Sequence, residues 1–189
     1  MSGNTRSSAR DFARAGAIAL IALAAGAVAA SDARMAPSLP PNVAAALPQV
    51  KMVGGAEMSF LGLSIYEGFY WSPARGYSSS RPFALDLHYR RSLKGAALAE
   101  RSVDEIAKLG YGTAEQRVRW GAAMKRIFPN VVEGDRITGL NVPGIGAQFF
   151  LNGAPIGEVE DPDFAPAFFG IWLDPGTSRP DFRKRLLGE

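Results

Sequence analysis

His88 is the one histidine in a chain of 189 residues that has no cysteine, and it stands two residues from Asp86 in the segment RPFALDLHYRR. An imidazole beside a carboxylate is a pairing that general-base chemistry uses. Side chains at i and i+2 of an extended strand lie about 7 Å apart, so spacing alone favours a solvent-facing pair without a direct bond. The single histidine and the missing thiols exclude a His-rich or thiolate zinc site and a Cys–His nucleophile pair. A second group crowds the stretch SIYEGFYW, where Ser64 and Tyr66 carry hydroxyls and Tyr70 and Trp71 add aromatic surface. On a strand some of these side chains can line an apolar pocket, although the same rings fill a core equally well. Ser64, Tyr66 and His88 are therefore the candidate catalytic residues. Ser64, Tyr66, Tyr70 and Trp71 are the candidate ligand contacts.

Other chemistry-bearing patterns fall away on inspection. Glu158, Glu160, Asp161 and Asp163 gather in GEVEDPDF, but they lack the spaced oxygens and closing glutamate of a calcium loop, and Asp163 reads better as a helix cap. The glycines of GGAEMSFLGLS and GLNVPGIGAQFF do not follow the order of strand, glycine triplet and helix that cradles a dinucleotide. No G-x-S-x-G elbow occurs. No metal and no cofactor are expected. Arg179, Arg183, Lys184 and Arg185 close the chain without interleaved aromatics, so they read as the solvated, dipole-complementing face of a terminal helix. With a formal net charge of +3 the chain carries no nucleic-acid footprint.

The positioning elements lie in one domain, the size that 189 residues with 47% apolar content support. Arg6, Arg10 and Arg14 precede the uncharged run AGAIALIALAAGAVAA, which ends in small residues. Residues 1–30 thus read as a secretory signal peptide cut near Ala29 or Ala30, and a periplasmic or secreted product with no membrane span after cleavage is expected; the same run kept as an uncleaved membrane anchor is the alternative. No cysteine serves disulfides in that compartment. Residues 31–50 hold four prolines and read as an arm without stable helix or central strand, with the folded domain, residues 51–189, beginning near Lys51.

AEMSFLGLSIYEGFYW reads as two strands, or one bent strand, around Gly62 and Gly68. Phe83, Leu85, Leu87 and Tyr89 alternate with Ala84, Asp86, His88 and Arg90, the pattern of a strand with one buried face. Ser102 and Glu105 have capping-box spacing, with Gly110 as the helix stop. Thr113 and Gln116 repeat that spacing ahead of Trp120, Met124 and Ile127, and Pro129 ends the run. Asn152–Gly153 predicts a tight hairpin between QFFL and APIGEV. A helix over FAPAFFGIWL, capped by Asp161–Pro162–Asp163, and a short one over DFRKRLL complete an α+β domain with helices on one side of a mostly antiparallel sheet.

Taken together, FLGLSIYEGFYW, the stretch from Phe83 to Gly110, the ordered FP, GD, PG and NG pairs from Ile127 to Gly153, and FFGIWL with its T-S turn resemble bacterial chalcone isomerase-like proteins. The likeness runs from about Val53 to the C-terminus. It implies an open-faced β-sandwich, a large antiparallel sheet covered on one face by helices. It also implies a catalytic arginine on the entering strand with threonine and tyrosine hydroxyls nearby. Lys51 to Phe60 holds no arginine, Ser64 approximates the threonine, no tyrosine lies between Lys94 and Gly110, and Gly170 or Ile171 stands where another hydroxyl is expected. Lys51 offers a point charge but no planar fork. Chalcone cyclisation is thus not expected, and a small apolar ligand, neutral or anchored differently from a fatty acid in the family's binding members, fits better. The alternatives are an isomerase or intramolecular lyase of unassigned substrate and an envelope protein-interaction module.

Overall fold

The computed structural model describes residues 37–189. The expected signal peptide and the first residues of the arm lie outside this range. Six strands form one sheet in chain order, each antiparallel to the next. They are β1 (Lys51–Phe60), β2 (Leu63–Ser72), β3 (Phe83–Tyr89), β4 (Arg136–Val142), β5 (Gly146–Leu151) and β6 (Ala154–Val159). A short α1 (Pro41–Ala46) precedes them, α2 (Gly95–Lys108) and α3 (Ala114–Ile127) separate β3 from β4, and α4 (Phe164–Leu173) and α5 (Pro180–Leu187) end the chain.

Period-two alternation sorts the side chains. Phe83, Leu85, Leu87 and Tyr89 of β3, Ile137 of β4 and Phe149 of β5 pack in the main core with Ile106 of α2, Trp120 and Met124 of α3 and the aromatic run of α4. Nine of the ten residues of α4 are buried, because α4 lies between the sheet and its neighbouring helices and is apolar all round. Phe168 makes edge contacts with Phe149, Phe169 and Trp172 and stacks on Phe164. Glycines let the layers close. A Cβ on Gly139 would sit 2.9 Å from the Phe169 ring, and one on Gly54 would fall 2.1 Å from the Arg185 carbonyl, where α5 lies against β1.

The second sheet face departs from the expectation of one solvated side. Leu39, Val43 and Leu47 pack on Ala84 and Leu140, with Trp71, Val142 and Phe150 at the margin. The proline-rich segment therefore does form a helix: Pro41 stands at its first positions, where a missing N–H costs nothing, and Val43 is fully buried. The folded unit starts well before Lys51. Ser102 is a second departure. It lies inside α2 and bonds back to the Leu98 carbonyl at 2.8 Å, while the helix begins at Gly95, so the Ser102–Glu105 spacing caps nothing. The Thr113–Gln116 capping box forms in full, and Asn152–Gly153 turns with positive φ at both residues. Among the described residues no helix is long and apolar enough to cross a membrane.

Candidate functional site

Between the sheet and the helices lies a cavity of about 370 Å³, lined mainly by apolar side chains. Tyr66, Leu87, Tyr89 and Ile137 form its sheet side; Ala97, Leu98 and Ser102 of α2 and Phe168, Ile171 and Trp172 of α4 form its helix side. Such a volume suits a small ligand, since cavities of about 300 to 1,000 Å³ take drug-sized molecules.

Polar groups are few and fixed in place. Tyr66 and Tyr89 are register partners on β2 and β3, with their rings edge to face at 6.0 Å. Trp172 donates its indole N–H to the Tyr66 hydroxyl at 2.8 Å. Burial pushes the Tyr66 hydroxyl up to about 12, against the lowering effect of that hydrogen bond and of Arg179 and Arg101 nearby. Burial, with Tyr66 beside it, also pushes the Tyr89 hydroxyl up. Both phenols are thus neutral donors at pH 7, and neither proton has an acceptor among the described residues.

The rim carries the charge. Arg101 pairs with Glu105 at 2.6 Å, which also accepts from Lys108 at 2.9 Å and from the Ser178 hydroxyl at 2.8 Å. Burial works against the charge on Glu105, but the Lys108 and Ser178 hydrogen bonds and the Arg101 guanidinium together hold its carboxyl below the ordinary range. Arg179 reaches the same rim from the turn before α5, and its side chain has no ionic partner among the described residues. Its placement corrects the expectation that it complements the helix dipole: it stands at the N-terminal side of α5, whereas Lys184 and Arg185 occupy the last turn.

The sequence candidates separate in space. Of Ser64, Tyr66, Tyr70 and Trp71, Tyr66 lines the cavity. Tyr70 is fully buried against Phe83 in the core, and Trp71 packs at the margin of the α1 cluster on the opposite sheet face, so neither lines the cavity. Ser64 belongs to the adjacent strand end and is not a lining residue.

His88 lies on the far face as well, edge-on to Phe69 at 4.9 Å. Contrary to the solvated pair expected from spacing, its Nε2 donates to Asp86 at 2.8 Å, and Asp86 is wholly buried. The imidazole spans the gap that shorter side chains leave. Asp86 also accepts from Arg136 Nε at 2.9 Å, from an Arg136 terminal nitrogen at 2.6 Å and from the Thr138 hydroxyl at 2.8 Å. These donors satisfy a buried carboxylate and make the cluster structural. A catalytic set of Ser64, Tyr66 and His88 does not converge.

Sequence reasoning missed Arg101, Arg179 and Tyr89. Tyr89 looked like one more core position in an alternation. Arg101, four residues before Glu105, has the spacing of an ordinary surface helix pair, which gives no signal of a cavity. The carboxylates of GEVEDPDF are used in structure instead: Asp161 accepts from the Trp120 indole at 2.8 Å and Asp163 from Gln116 at 3.2 Å. Among the described residues no cluster of three or more histidines and carboxylates is placed to hold a metal ion.

The family model for chalcone isomerase-like proteins matches residues 78–188, more than half of the chain, and the protein belongs to that family. An uncharacterized protein of Haemophilus influenzae is 26% identical over 138 residues, which cover 72% of this chain and 67% of that relative. Among solved structures, a fatty-acid binding protein of Arabidopsis thaliana superposes with a TM-score of 0.56 at 12% identity, over 74% of this chain and 87% of that one. That likeness establishes the shared fold.

Proposed function

We propose that this chalcone isomerase-like domain is a binding protein for a small amphipathic molecule, exported to the periplasm or beyond, and that it does not act as an isomerase. The carrying observation is the composition of the cavity: an apolar interior with two phenol donors and an arginine-bearing rim. The apolar body of the ligand occupies the space between β2, β3, α2 and α4, where burial contributes about 25 cal/mol per Å². An acidic or strongly polar end faces Arg179 and Arg101, and a carbonyl or hydroxyl can take the Tyr66 or Tyr89 proton. The fold shared with the Arabidopsis thaliana fatty-acid binding protein supports this reading.

Cations reach this ligand from α2 and from the turn before α5, which supplies what Lys51 to Phe60 lacks. The hydroxyl and carboxylate that do meet among the lining residues, Ser178 and Glu105, lie at the rim, where Arg101 and Lys108 already hold the carboxylate. His88 is turned to the other face and bonded to Asp86.

The deciding experiment uses residues 31–189, which contain every core residue described above, purified from the exported fraction without detergent. Native mass spectrometry should find a stoichiometric small-molecule adduct, which extraction then identifies. N-terminal sequencing should place the mature start just after Ala29 or Ala30. A clean apo mass, together with unchanged tryptophan emission on titration with long-chain carboxylates and alcohols, would rule out the binding reading.

A further inference from the structure

Phe60, Leu61 and Leu63 are 56%, 85% and 53% exposed and surround the two-residue turn Leu61–Gly62 that joins β1 to β2. The other large exposed apolar side chains among the described residues, Met52, Val118, Val132 and Ile145, lie apart from this tip along the chain. Scattered exposure is ordinary, whereas three such residues on one hairpin tip are not. The tip projects into solvent: a Cβ added to Gly62 would meet nothing within 4 Å.

Leu61 also has a φ of 49°, the left-handed region, at a turn position that suits Asn, Asp or Gly. The corresponding position of the β5–β6 turn is Asn152, which is bonded to Asp135 and to the Arg136 N–H. At the β1–β2 turn the chain instead holds a strained, exposed leucine that gains no packing. Strain of this kind marks a position to examine for function.

The surroundings say what the tip meets. Phe60 lines the cavity mouth together with Arg101 and Arg179, and Lys94, exposed at the start of α2, follows the lining residue Leu93. The lining residues include one carboxylate, Glu105, and it is already held by Arg101, Lys108 and Ser178. An apolar prong beside net positive charge complements a lipid surface whose headgroups are acidic. A protein interface would need a broader patch, about 800 Å² on each partner.

We propose that the β1–β2 tip inserts into an anionic bilayer while Lys94, Arg101 and Arg179 meet its headgroups, so that the cavity mouth faces the membrane. The docking stands independently of which molecule, if any, the cavity holds.

The test floats residues 31–189 with vesicles of phosphatidylcholine alone and of phosphatidylcholine mixed with phosphatidylglycerol. Binding to the anionic vesicles should be tighter by about fivefold for each cation engaged, and should weaken in high salt. Leu61→Gly should loosen it about tenfold, since an inserted leucine is lost, while raising the melting temperature because glycine accepts the positive φ. Arg179→Glu should also loosen it.

Leu61→Cys gives a single thiol in a cysteine-free chain. A polarity-sensitive label there should shift to the blue on anionic vesicles, and the same label at Val118→Cys on α3 should not. Equal binding to both vesicle types, Leu61→Gly bound as tightly as wild type, or a stable dimer that shields the Leu61 label would each overturn the proposal. Vesicle docking with a persistently empty cavity would instead sink the ligand reading and leave this one standing.

Discussion

Trp172 on α4 and Tyr66 on β2 share one hydrogen bond, indole N–H to phenol oxygen at 2.8 Å, that ties the helix layer to the sheet along the cavity wall. The bond leaves the Tyr66 proton available to a ligand. In Trp172→Phe the ring is largely kept and the donor is lost. Stability should fall by about 1 to 3 kcal/mol, from the bond and from the smaller ring. The Tyr66 hydroxyl should titrate higher still, because the indole is one of the groups lowering it. Denaturant melts and absorbance at alkaline pH read the two effects separately.

A second prediction concerns alkali. Burial pushes Tyr66 to about 12. Burial and the bond to Asp174 push Tyr111 to about 12. Both groups are therefore neutral in the fold at a pH where the unfolded chain, with phenols near 10, is already losing protons. Raised folded values stabilise fully below pH 10 and lose that contribution as pH climbs from 10 through 12. The denaturation midpoint should fall across that window for this reason and recover on return to neutral pH. A midpoint unchanged between pH 9 and 12 contradicts the assignment.

Asp86 supplies the third. Its carboxylate is fully buried and bonded to Arg136, Thr138 and His88. Asp86→Ala leaves a guanidinium facing a void and should cost about 3 to 5 kcal/mol. His88→Gln should cost far less, about 1 kcal/mol, since Asp86 keeps its arginine and threonine. Equal losses in urea melts would mean that His88, not Arg136, neutralises the site.

The fate of Asp86 shows what the sequence can and cannot disclose. Period-two alternation placed β3 and the partition of its residues between faces, because side-chain direction on a strand is a local property. What covers each face is not local. Asp86 read as solvated because nothing near it in sequence says that Arg136, 50 positions away, lies beside it on β4 or that Ser38 closes over that arginine. The same limit hid the cavity. Tyr66 and Tyr89 meet through strand register, and Arg179 joins Arg101 at the rim because α5 folds back along β1. Motif order, in contrast, did reveal the family, since the paired turn residues and FFGIWL are contiguous in sequence.

Helix α3 and helix α2 provide a paired test of local reading. Thr113→Ala removes a side chain that accepts from the Gln116 N–H at 3.2 Å and should cost about 1 kcal/mol. Ser102→Ala, at a spacing that looks identical, should cost less than half as much, because its hydroxyl only bonds back to Leu98 within the helix. Equal losses in thermal melts would show that Ser102 acts as more than a back-bonded helix residue.

Arg179 tests the orientation of the ligand. Its side chain has no ionic partner among the described residues, so Arg179→Gln should leave the melting temperature nearly unchanged. If an acidic end lies at the rim, a long-chain carboxylate should bind about tenfold more weakly to the variant, the loss expected of a charged hydrogen bond. The matching alcohol should bind as before, through the apolar interior that both share. Trp172 lies in the cavity wall, and its emission follows either titration. Equal weakening of acid and alcohol would mean that Arg179 shapes the mouth without reading charge, and loss of neither would place the polar end inward, at the phenol protons of Tyr66 and Tyr89.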